Sequence, residues 1–120
     1  MKVAISAQGK TMDAAVDSRF GRCPYFVVVD AETGELSSHD NVQNLNAVQG
    51  AGIQTARTVI GLGVGAVITG NMGPKAFATL QAGGVAMYVG AQGTVKDALE
   101  AWKAGRLQKV DRPNVEGHWV

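Results

Sequence analysis

The chain has 120 residues, with 11 basic and 10 acidic side chains, so its formal net charge is +1. At 46% hydrophobic residues it can bury a core, and disorder is excluded. Near-neutrality gives a nucleic-acid partner no bulk electrostatic support. One cysteine permits no internal disulfide, no four-cysteine zinc site and no CxxC redox pair.

The start, Met1 to Ser6, turns polar too soon for a signal peptide, and no apolar run approaches the roughly 18 residues of a membrane span. The expectation is a single cytoplasmic domain without a membrane or nucleic-acid partner.

In chain order, Val3-Ala4-Ile5 suits a buried first strand, and a polar stretch runs from Ala7 to Arg22. Tyr25 to Val29 predicts a strand, Glu32-Thr33-Gly34 a hairpin turn, and Glu35 to His39 a polar return strand at an edge. Ile53, Ala56, Val59 and Ile60 recur at helical spacing within 47–62, and Gly61-Leu62-Gly63 is a helix stop. Ala66 to Thr69 predicts a strand. Gly70 to Pro74 predicts a turn, with Pro74 opening a helix that ends at Gly83-Gly84. Val85 to Val89 is the next strand. Thr94 with Asp97 forms a capping-box start for a helix that buries Val95, Ala98, Leu99 and Trp102 and ends at Gly105.

The second half therefore reads as βαβ units with parallel strands, and the hairpin adds an antiparallel edge. The sum is one mixed five-stranded α/β domain over residues 1–107. Residues 108–120, without periodicity, read as an extended or mobile tail.

Two familiar motifs fail on context. Gly9-Lys10-Thr11 lacks the glycine a phosphate loop needs five positions earlier, where Ala4 stands. The run from Gly61 to Ala66 matches GxGxxA but precedes a strand instead of following one.

The charge map carries more. Residues 41–95 hold no Asp or Glu, only Arg57 and Lys75. The turns Gly50-Ala51-Gly52, Gly70 to Pro74 and Gly90 to Gly93 all fall in that stretch. Each places glycine-rich backbone at a helix start, beyond strand ends, where an anion binds most readily. Short connecting loops also need glycine for purely structural reasons. Ser18-Arg19-Phe20-Gly21-Arg22-Cys23-Pro24 adds two arginines, whose guanidinium forks suit anions. Cys23 beside Arg22 is a candidate thiolate ligand for a soft metal, or else a small buried hydrophobe. Met72 is a weaker candidate ligand. No acid–base or nucleophile constellation stands out, so the chain does not read as an enzyme.

Four segments in order resemble the dinitrogenase iron–molybdenum cofactor-binding family. They are Arg19 to Phe26 after Val16-Asp17-Ser18, Gly50 to Gln54, Gly70 to Phe77, and Gly90 to Val95 with Ala101 to Leu107. Among small members, the chain is most similar to the orange proteins of sulfate-reducing bacteria.

The resemblance implies a three-layer ribonuclease-H-like α/β fold. It also implies non-covalent carriage of an anionic molybdenum-containing metal–sulfur cluster, a molybdenum–copper sulfide or an iron–molybdenum cofactor-like species. It further suggests a P-loop ATPase of the chromosome-partitioning type as a partner. Many relatives carry histidine where this chain has Arg19 and Gln49, which turns the expectation from histidine ligation to holding by Arg19, Arg22 and backbone N–H groups. The expected pocket joins residues 18–24, 50–52 and 70–74: Ser18, Arg19, Phe20, Gly21, Arg22, Cys23, Gly50, Ala51, Gly52, Asn71, Met72, Gly73 and Pro74. The rival readings are a nuclease or phosphate-ester hydrolase on the same scaffold, and a cofactor-free interaction module.

Overall fold

The computed structural model describes residues 1–41 and 51–113. Strand β1 (Lys2–Ala7) is followed by a long connection and the hairpin β2 (Tyr25–Asp30) and β3 (Leu36–Asp40). Then come α1 (Ala51–Gly61), β4 (Ala66–Ile68), α2 (Pro74–Ala82), β5 (Ala86–Val89), α3 (Val95–Lys103) and β6 (Gln108–Lys109). One sheet takes the order β3-β2-β1-β4-β5-β6. The β1–β4 and β4–β5 pairs are parallel, and the outer pairs are antiparallel.

The hairpin follows from its turn chemistry. Asp30 Oδ1 accepts the backbone N–H of Glu32 at 2.9 Å and of Thr33 at 3.2 Å, and Gly34 takes φ +78°. These donors hold the Asp30 carboxyl below the usual range. Helix α3 starts on the predicted capping box: Thr94 Oγ1 accepts from the Asp97 N–H, and Asp97 Oδ2 accepts from the Thr94 N–H. Gly63, Gly84 and Gly105 adopt positive φ just beyond the three helices, as their stop signals predict.

Strand alternation splits the core between two faces. Ala4, Phe26, Val28, Val67 and Met87 pack with α1 and α2, while Val3, Ile5, Val27, Ile68 and Ala66 pack with α3 through Val95, Ala98 and Leu99. The result is a three-layer α/β/α sandwich with the carboxyl ends of β1, β4 and β5 on one edge.

The strand count departs from expectation. Gln108–Lys109 forms a sixth strand, pairing Lys109 with Tyr88 and Gln108 with Val89, and Val110 packs against the core. The expected tail thus begins inside the sheet. Residues 114–120, with His118, lie outside the described residues, as do 42–50 with the expected helix start near Ala47.

Candidate functional site

The connection between β1 and β2 crosses the edge where the parallel strands end, and backbone bonds stitch it there. Val16 donates to Gly93 O at 2.9 Å, Asp17 to Ser6 O at 3.0 Å, and Asn71 to Ser18 O at 2.9 Å. Arg19 and Asn71 form a parallel bridge, and Asn71 Nδ2 reaches Ser18 O at 3.3 Å. Gly70 permits this approach: a Cβ there would lie 2.7 Å from the Ser18 Cα, a clash with backbone that only glycine avoids.

Below the bridge, Ser6 Oγ donates to Asp17 O at 2.7 Å and lies 2.8 Å from Thr69 Oγ1. The ends of β1 and β4 thereby anchor the base of the loop.

The expected residues fall into two groups. Ser18 and Arg19 are exposed, Pro74 is exposed as the first residue of α2, and Arg22 and Asn71 are half-buried. Phe20, Cys23 and Met72 are wholly buried in the core on the α1–α2 side. Phe20 tilts against Phe26 with ring centroids 5.4 Å apart, so it anchors the loop. Gly21 and Gly73 are buried, and Ala51 and Gly52 are buried in the first turn of α1. Gly50 lies outside the described residues.

The geometry therefore joins 18–24 with 70–74 directly. It ties α1 to them through Thr55, whose hydroxyl donates to Gly21 O at 3.2 Å.

Cys23 takes the second of its two readings. Its neighbour Arg22 does not make it a thiolate. Burial first, and the Asp17 charge next, push the thiol well above its ordinary value, while bonds from the Ala7 backbone, Asn41 and its own backbone pull less strongly the other way. The S–H donates to Phe20 O at 3.3 Å. Among the described residues, no group of three or more His, Cys, Asp or Glu side chains could hold a metal ion.

The third glycine turn is also corrected. At the α3 N-terminus, the Val95 N–H is taken by Ala14 O, the Lys96 N–H by Met12 O and the Asp97 N–H by Thr94 Oγ1. That terminus is closed by its own chain and offers an anion no orphan donors. At α2, by contrast, the N-cap Gly73 makes no side-chain cap bond, and Pro74 fills the first position.

Sequence reasoning missed Asp17. It is the one buried charged side chain among the described residues, and its Oδ1 accepts the Arg19 N–H at 2.9 Å and lies 3.5 Å from Arg19 Nε. The Asp-x-Arg spacing of an Asx turn was its available signal. Reasoning from charge and glycine also missed the buried polar pair Asn41 and Thr55, which carries neither signal.

What the loops expose is thus the Arg19 guanidinium and the side-chain-uncapped start of α2, with sulfur withdrawn into the core. Such a donor set fits an anion that brings its own ligands, such as a sulfide-complete cluster, better than a bare ion needing a coordination cage.

The comparisons with known proteins agree on the architecture. The family model described as dinitrogenase iron-molybdenum cofactor matches residues 1–105. The apo form of the orange protein from Desulfovibrio gigas superposes with a TM-score of 0.92 at 37% identity, covering 95% of this chain and 96% of that one. A Thermotoga protein bearing the NifB designation superposes at 0.84 with 34% identity over 97% and 98% of the two chains. An uncharacterised protein of Methanocaldococcus jannaschii is 27% identical over 113 residues, 92% of each sequence.

Proposed function

Because the chain belongs to the dinitrogenase iron–molybdenum cofactor family, whose proteins bind a metal cluster and do not catalyse, we propose that it carries an anionic molybdenum–copper sulfide cluster, held without covalent bonds. The observation that supports this reading is the bridge between Arg19 and Asn71, which ties the arginine-bearing loop 18–24 to the loop that leads into the uncapped start of α2, while Cys23 is buried with its thiol pushed up. We choose the molybdenum–copper species on the resemblance to the orange proteins, to one of which the chain is 37% identical. Arg19 and Arg22 supply charge and planar donors, and the backbone of 18–24 and 70–74 supplies N–H groups. Asp17 fixes Arg19 in place. The setting we assign is cytoplasmic, with a P-loop ATPase of the chromosome-partitioning type as the partner that loads or unloads the cluster.

The test is reconstitution. Pure protein is incubated with tetrathiomolybdate, with and without copper(I), desalted, and read by visible spectrum and metal content. Retained colour with both molybdenum and copper is expected. Arg19→Ala combined with Arg22→Ala should lose most of it, since each charge-assisted hydrogen bond is worth about 1.5–3 kcal/mol. A colourless wild-type eluate overturns the reading. Undiminished retention by the double variant overturns the electrostatic hold.

A further inference from the structure

Asp17 carries a charge that its structural duties do not use. Its backbone is fixed at the end of β1. The Asp17 N–H donates to Ser6 O at 3.0 Å, and its carbonyl accepts from Ser6 Oγ at 2.7 Å. Its Oδ1 accepts the Arg19 N–H at 2.9 Å, the bond of an Asx turn, which the uncharged oxygen of an asparagine makes as well. The negative charge is additional, and it sits in a side chain only 4% exposed.

Burying a charge is costly unless it is closely paired. Among the described residues, the cation that pairs with Asp17 is Arg19, through Nε at 3.5 Å, and that side chain is 47% exposed. An ion pair so open to water contributes little. Stability therefore gives no reason for the charge. Two neighbours feel it. It stands behind the guanidinium that the cluster-binding reading assigns to an anion. Burial first, and this charge next, push the Cys23 thiol up, which disfavours a thiolate beside the same loop.

We propose that Asp17 is the counter-charge of the site: set behind Arg19, it weakens the pull of the guanidinium on an anionic cluster, so that the cargo is held and can still be released. Being buried, the carboxylate acts on the cluster through space and not by contact. The inference rests on the cluster-binding reading above and concerns how tightly that site holds.

Asp17→Asn tests it, because it keeps the shape and the acceptor and removes the charge. A cooperative urea transition confirms folding. Hydrogen exchange at the Arg19 amide of the unliganded protein reports whether the Asx turn is intact. Affinity is measured for tetrathiomolybdate with copper(I), and release is followed as colour lost from the loaded protein on repeated desalting. Exchange should match the wild type. Affinity should tighten about tenfold and release should slow, the scale expected for removing one carboxylate charge near a bound anion. A purely structural Asp17 would leave affinity unchanged, and one that serves only to hold Arg19 would lower it on substitution.

Unchanged or weaker affinity in Asp17→Asn, beside a coloured wild type, overturns this inference alone. A variant that does not fold shows that the fold needs the charge, and overturns it too. Altered exchange at Arg19 traces any change in affinity to loop geometry and has the same consequence. A wild type that takes up no colour overturns the cluster reading, and this inference with it.

Discussion

Cys23 shows how position in the fold overrides a neighbour in sequence. Arg22 stands next to it, yet the thiol points into a core of Phe20, Phe26 and Met72, where desolvation penalises the thiolate. A thiol whose folded pKa lies above its ordinary 9.0 contributes stability that is complete below that value. Above it, the unfolded chain loses its proton while the folded chain keeps it, so stability falls as pH rises. The slope approaches about 1.4 kcal/mol per pH unit. Urea midpoints measured from pH 7 to pH 10 should therefore fall more steeply for the wild type than for Cys23→Ala. Parallel curves would place the thiol in a solvated, titrating setting. The native thiol should likewise resist iodoacetamide until the protein unfolds. The sequence could not disclose this burial, because residues distant in the chain produce it.

At the scale of single elements, much was legible because the signals are local. The hairpin lies where Asp30 and Gly34 require it, α2 opens on Pro74, and α3 opens on its capping box. Replacing Thr94 by Ala should cost about 1 kcal/mol by thermal denaturation, the usual worth of an N-cap side chain. Asp97 gives the same box a pH signature. The Thr94 backbone N–H first, and its side chain second, hold the Asp97 carboxyl below its usual 3.8. A depressed carboxyl stabilises the fold above its unfolded value, and that contribution fades as pH falls through the folded one. The stability gap between wild type and Asp97→Asn should hence be full at pH 7 and close on acidification below 3.8. A gap that persists at pH 2 would mean the carboxylate is not what holds the box. The same box explains a misreading. The glycines before α3 look like those before α2, but only at α3 does the 8–24 connection, through Met12 and Ala14, occupy the helix amides. That competition is a long-range contact, invisible to a glycine count.

For the whole molecule, the lesson lies at the far edge of the sheet. The two residues of β6, Gln108 and Lys109, are exposed and polar, so neither hydrophobic alternation nor β-propensity marks them. They become a strand only because β5 presents an unfilled edge, with the Val110 N–H donating to Met87 O at 3.0 Å just beyond. The sheet would otherwise end at β5, whose Met87 and Val89 belong to the core. An uncovered apolar edge strand invites pairing with another chain. A protein truncated after Leu107 should consequently melt at a lower temperature. Loss of the Val110 contact alone removes about 1–2 kcal/mol of burial. It should also associate with rising concentration, as read by light scattering, because β5 is then free to pair. Val110→Ser in the full chain separates the two effects: it should lower the melting temperature without association, since β6 still covers the edge. If the truncated and full-length proteins melt together and stay monomeric, the folded unit ends at residue 107 and β6 contributes nothing to it.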